Sequence, residues 1–70
     1  MSIQLLRIAS VQERTGLARS TIYAKVADGT FPRPVSLGGR SVAWLDDEIA
    51  DWITAQVKRS RRLVEGRADA

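Results

Sequence analysis

The chain has 70 residues, with no cysteine and no histidine. At this length it holds one domain, and disulfides, thiolate-held metals and histidine-based acid–base chemistry are excluded. Its net charge of +3 is segmented, with +4 over residues 1–45, −4 over residues 46–57 and +3 over residues 58–70; such a chain has one part suited to a polyanion and another suited to face away from it, although a solvated mixed surface reads the same way.

The first residues, Met1-Ser2-Ile3-Gln4-Leu5-Leu6-Arg7, lack the basic-then-apolar order of a signal peptide. No apolar run approaches the roughly 18 residues that a membrane helix needs. A soluble, cytoplasmic protein with no membrane partner is expected, and the missing cysteine fits a reducing compartment. The first helix signal is Ser10-Val11-Gln12-Glu13, where Ser10 has capping-box spacing to Glu13. Gly16 closes this short helix, which buries Ile8 and Val11. After Leu17, Ala18-Arg19-Ser20-Thr21 opens a second helix. Ile22, Tyr23, Val26 and Ala27 form its apolar stripe, and Gly29 stops it. Two short helices across a glycine turn read as a helix-turn-helix, although many helical hairpins share the cue.

The period then changes. Phe31-Pro32-Arg33-Pro34 is extended, because each proline biases its own and the preceding residue away from helix. Val35-Ser36-Leu37 and Val42-Ala43-Trp44-Leu45 flank Gly38-Gly39, with Arg40 and Ser41 beside the turn, and read as a β-hairpin. Two strands alone are marginal in water, so the hairpin must pack on the helices, with Phe31, Val35, Leu37 and Trp44 as the candidates for contact. Asp46 caps a third helix, with Asp47 and Glu48 in its first turn and Ile49, Trp52, Ile53 and Val57 on its apolar face. The pattern fades after Arg62. The reading is therefore mainly α with a small β-hairpin, a winged helix-turn-helix in the order helix, helix, hairpin, helix. The domain spans 1–62, with a disordered tail over 63–70 frayed from Glu65 onward. The expected core is Leu6, Ile8, Val11, Leu17, Ile22, Val26, Val35, Trp44, Leu45, Ile49, Trp52 and Ile53.

Four blocks in order carry a resemblance: Thr15-Gly16-Leu17-Ala18-Arg19-Ser20-Thr21-Ile22-Tyr23, Gly29-Thr30-Phe31-Pro32-Arg33-Pro34-Val35, Leu37-Gly38-Gly39-Arg40-Ser41-Val42-Ala43-Trp44 and Glu48-Ile49-Ala50-Asp51-Trp52-Ile53. Over residues 5 to 58 the chain resembles the AlpA family of phage-type transcriptional regulators, relatives of the excisionase and MerR-type winged helix-turn-helix domains. The resemblance implies a DNA-binding regulator carried by prophages and other integrated elements. Some family members activate integrase or excision functions, and related excisionases bend DNA at recombination sites. The family usually has serine where this chain has Ala18.

The resemblance makes residues 19–28 the recognition helix in the major groove and 35–44 a wing on adjacent backbone or the minor groove. Arg19 can pair with guanine O6 and N7 or with phosphate. Ser20 and Thr21 offer short hydroxyl donors, although helix capping also explains them. Lys25 lies one turn on, and Tyr23 is read as packing with its hydroxyl outward. Arg40, after Gly39 and beside Ser41 at the tip, and Arg33 at the wing's base are the other candidate contacts. Trp44 and Trp52 have core spacing. The run Lys58-Arg59-Ser60-Arg61-Arg62 reads as a dipole-matched helix end, a second phosphate contact or a solvated end.

The expected partner is double-stranded DNA, with no cofactor, no metal and no catalytic residue. A single module buries only about 600–1,000 Å² on DNA, so a monomer that associates on tandem sites, or with RNA polymerase or an integrase, is expected. Two rivals stand beside this reading: an excisionase-type recombination directionality factor, and a protein-binding adaptor that uses Asp47, Glu48 and Asp51. The only acid–base candidates for an enzyme are carboxylates on one exposed helix start.

Overall fold

In the computed structural model the backbone is described for residues 3–68 and side chains for residues 3–62. The elements are β1 (Leu5–Leu6), α1 (Ile8–Thr15), α2 (Arg19–Asp28), β2 (Val35–Gly38), β3 (Ser41–Leu45) and α3 (Asp46–Ala68). The fold is a winged helix-turn-helix, mainly helical, with one antiparallel hairpin and a third short strand added to it. The sheet order is β1-β3-β2, so β3 is central. β1 pairs Leu5 with Leu45 and Leu6 with Trp44, and β2 pairs Val35 with Ala43 and Ser36 with Val42.

The core forms where α1, α2, β3 and α3 meet. Val11, Ile22, Trp44 and Ile49 are fully enclosed, with Leu6 and Phe31 beside them. Ile8, Leu17, Val26, Trp52 and Ile53 close the cluster from its margin. Among the described residues, each helix contributes one fully enclosed residue from its apolar stripe, and the central strand contributes the largest side chain. This division suits a domain too small to enclose many residues completely.

Several local expectations are corrected. α1 begins at Ile8, after an uncapped Arg7, so Ser10 lies inside the helix and no Ser10–Glu13 capping box forms. The cause is long-range: pairing of Leu5 and Leu6 with β3 fixes the chain immediately upstream, and the Val11 N–H donates to the Arg7 carbonyl (3.0 Å). Val35 and Leu37 are exposed: all of β2 lies at the surface, while β3 turns Ala43 and Trp44, and β1 turns Leu6, into the core. On α2 the apolar stripe narrows to Ile22 and Val26, since Tyr23 is 37% exposed and Ala27 faces outward. Asp46 is the first residue of α3; its carboxylate pairs with Arg14 of α1, and its N–H donates to the Gln4 carbonyl (2.8 Å). Trp52 lies at the core's margin, and Val57 is 41% exposed.

The backbone of α3 is helical through Ala68, beyond the point where its apolar pattern fades. Of the residues assigned to a disordered tail, 69 and 70 lie outside the described residues, as do the side chains from 63 onward.

Candidate nucleic-acid interface

The turn between α1 and α2 is built by Thr15, Gly16 and Leu17. Gly16 has φ of +74°, and its N–H donates to the Gln12 carbonyl (2.8 Å), closing α1 with a left-handed cap. The Thr15 hydroxyl donates to the Val11 carbonyl (2.7 Å) and accepts from the Leu17 N–H (3.3 Å). These bonds fix where α2 begins.

At its N-terminus α2 has Ala18 in extended conformation with no side-chain cap. The first backbone bond runs from the Ile22 N–H to the Ala18 carbonyl (3.0 Å). The N–H groups of Arg19, Ser20 and Thr21 precede that bond. An uncapped helix start presents such donors, with the positive end of the helix dipole, to an anion. Arg19 and Ser20 are exposed there, and Thr21 and Lys25 are half-buried.

A chain of contacts couples this helix start to the wing. The Arg19 guanidinium lies over the Tyr23 ring, 5.8 Å from its centroid. Tyr23 meets Trp44 of β3 edge to face at 6.0 Å. Trp44 Nε1–H donates to the Pro32 carbonyl (2.9 Å), beside the exposed Arg33. Tyr23 therefore packs against the wing strand as well as beside Ile22. A second indole anchors the same loop: Trp52 Nε1–H donates to the Thr30 carbonyl (2.8 Å), and Trp52 meets Phe31 edge to face at 4.8 Å.

The far end of α2 is equally tied down. The Thr30 N–H donates to the Lys25 carbonyl (2.9 Å) and the Gly29 N–H to the Val26 carbonyl (3.3 Å), the pair of bonds that defines a Schellman motif. The Asp28 carboxylate accepts from both the hydroxyl and the N–H of Thr30. These two bonds, hydroxyl first, and the nearby Lys25 charge hold the Asp28 carboxyl below its ordinary value of 3.8.

The hairpin tip is Gly38-Gly39-Arg40-Ser41, with Gly38 paired to Ser41 and a register irregularity between Ser36 and Gly38. Gly38 and Gly39 have φ of +111° and +57°, a backbone only glycine adopts without strain. Arg40 is exposed at the tip and Ser41 half-buried at the start of β3. Arg40 lies four positions before Trp44, roughly 13 Å at the usual strand rise. Arg19, Tyr23, Trp44 and Pro32 are thus joined by contacts, with Arg33 next to Pro32 in the chain, while Arg40, Gly39 and Ser41 stand apart at the tip.

Sequence reasoning missed the two indole N–H bonds that pin Thr30 and Pro32. The available signal was chemical, since an indole N–H packed against the core needs an acceptor and the six-residue segment before the hairpin offers carbonyls. Among the described residues no group of three or more potential metal ligands is clustered, and no helix is long and apolar enough to cross a membrane.

The sequence profile of the prophage CP4-57 regulatory protein (AlpA) matches residues 4–57. The chain is 42% identical over 59 residues to the uncharacterized protein ORF88 of Enterobacteria phage P4, covering 84% of this chain and 67% of that one. It is 36% identical over 63 residues to the DNA-binding transcriptional activator AlpA of Escherichia coli strain K12, covering 81% of this chain and 90% of that one. A match over most of the chain, falling on the helix-turn-helix, the hairpin and the first half of α3, makes this protein a member of the AlpA family of phage-type regulators.

Proposed function

We propose that the protein binds double-stranded DNA in a sequence-selective way and regulates transcription, with α2 in the major groove and the β2–β3 tip on adjacent backbone or the minor groove. The observation that carries the reading is the coupled helix start: unbonded N–H groups at residues 19–21, the Arg19 guanidinium stacked on Tyr23, and Tyr23 docked on the wing strand. In this arrangement the helix N-terminus holds a phosphate. Arg19 reads a guanine edge or a second phosphate, and Ser20, Thr21 and Lys25 contact base edges or backbone. Arg40, with Gly39 and Ser41 allowing close backbone approach, reaches the flanking phosphates, and Arg33 contacts the strand beneath the wing's base. The loop anchored by Trp44 and Trp52 holds wing and helix in register, so that both engage one duplex.

The relative named as a DNA-binding transcriptional activator supports the regulatory part of this reading. Such a protein works in the cytoplasm, associated with the nucleoid, and has no catalytic step of its own. The test is selection of bound duplexes from a random pool, followed by electrophoretic and bending assays on the winner. A reproducible motif with little bending supports a regulator. Strong bending across tandem sites supports the excisionase-type role, and no enrichment over random duplex overturns the proposal.

A further inference from the structure

One face of α3 takes no part in the core. Glu48, Asp51, Ala55, Arg59 and Arg62 are all exposed. Their spacing of i, i+3, i+7, i+11 and i+14 keeps them within one narrow stripe of the helix. The stripe is acidic at one end and basic at the other, with a small residue midway. A straight helix cannot bring these ends together: Glu48 and Arg62 lie about 21 Å apart along the axis, and Asp51 and Arg59 about 12 Å. The two ends do not neutralise each other, so each can meet an opposite charge on another molecule.

The stripe is its own complement under a two-fold rotation. Placed antiparallel on a second copy with Ala55 opposite Ala55, it brings Glu48 opposite Arg62 and Asp51 opposite Arg59, twice over. At the acidic end Glu48, Asp51 and Trp52, with Phe31 and Pro32, line an open depression of about 520 Å³. A guanidinium entering there meets two carboxylates and the half-exposed Trp52 ring, a setting suited to arginine. Ala55 lets the two helices approach closely at the centre. We infer that a second copy of this chain occupies this face, in an isologous antiparallel α3–α3 pair whose basic ends seat in each other's acidic depressions. Because the ion pairs are exposed, the pair is weak in free solution, is loosened by salt, and is reinforced when two copies are held on neighbouring sites.

The absence of cysteine allows a clean test in the full chain without DNA, so the outcome is independent of the DNA-binding reading. Ala55→Cys places thiols on the two-fold axis, and Thr54→Cys places them about 100° around the helix. Under mild oxidation, Ala55→Cys is expected to form disulfide dimers about tenfold faster, the size expected of several exposed ion pairs acting together. Adding Glu48→Arg and Asp51→Arg should remove that advantage, and further adding Arg59→Glu and Arg62→Glu should restore it. Circular dichroism of each variant reports folding, and sedimentation of the cysteine-free charge variants provides a second readout. Equal rates for the two cysteine positions, or no recovery in the fully swapped chain, would overturn the inference. So would charge reversals at 59 and 62 that weaken single-site DNA binding while leaving dimer formation unchanged, which would assign the basic end to phosphate.

Discussion

Replacing Trp44 with phenylalanine isolates the bond that joins the wing to the loop before it. The Trp44 side chain is fully enclosed, its Nε1–H donates to the Pro32 carbonyl, and its ring meets Tyr23. Phenylalanine keeps an aromatic ring but removes the donor and roughly three heavy atoms of buried surface. The lost burial and residual cavity cost about 1 kcal/mol. Leaving a partly buried carbonyl without its donor costs about 1–3 kcal/mol more. The total is about 2–4 kcal/mol, against roughly 4–10 kcal/mol for a domain of this size. Urea denaturation followed by far-ultraviolet circular dichroism measures the loss, and an unchanged slope would show that the folded state stays compact. Trp52→Phe is the matched control. Its indole N–H bond lies in an exposed setting where water replaces the donor, so a smaller loss of about 0.5–1.5 kcal/mol is expected. A Trp44→Phe protein as stable as the parent, or less damaged than Trp52→Phe, would refute the claim that this bond organises the wing.

Three other outcomes follow from the geometry. Ala18→Ser supplies the missing cap of α2 and should raise stability by about 1 kcal/mol in thermal or urea melts. Arg40→Ala should weaken duplex binding broadly and flatten the log–log salt dependence by about 1, from an expected slope of about −4 to −6. The Asp28 carboxyl is held below 3.8 in the folded chain, so its bonds to Thr30 add stability that is present above the unfolded value and lost as pH falls through the lowered folded value. Asp28→Asn should therefore reduce the fall in stability below about pH 4, as read by urea midpoints across a pH series.

Much of the fold is legible where local chemistry decides it. Gly16 and Gly29 mark the ends of two helices because only their left-handed backbone closes those turns, and the glycine pair at 38–39 marks the hairpin tip for the same reason. The periodic residues Ile22, Val26, Ile49 and Ile53 turn toward the core as their spacing requires. What escapes the sequence depends on distant partners. β1 is a dipeptide with no local strand signal, and it forms because β3, some forty residues on, offers an unpaired edge. That pairing also overrides the Ser10 capping signal. Val35 alternates correctly for a strand, but alternation does not say which face is covered, and all four residues of β2 are exposed. At the candidate interface, the sequence shows Arg19, Lys25 and Arg40 as cations on a helix and a turn. The stacking of Arg19 on Tyr23 and of Tyr23 on Trp44 needs the tertiary approach of α2 to β3.

The central claim is that one duplex meets both the start of α2 and the tip of the hairpin. Amide chemical-shift mapping with added oligonucleotide tests it most directly. The account predicts the largest perturbations at Arg19, Ser20, Thr21 and Lys25, together with Gly39, Arg40 and Ser41. Perturbations confined to α3, or none at all with a selected duplex in excess, would contradict it.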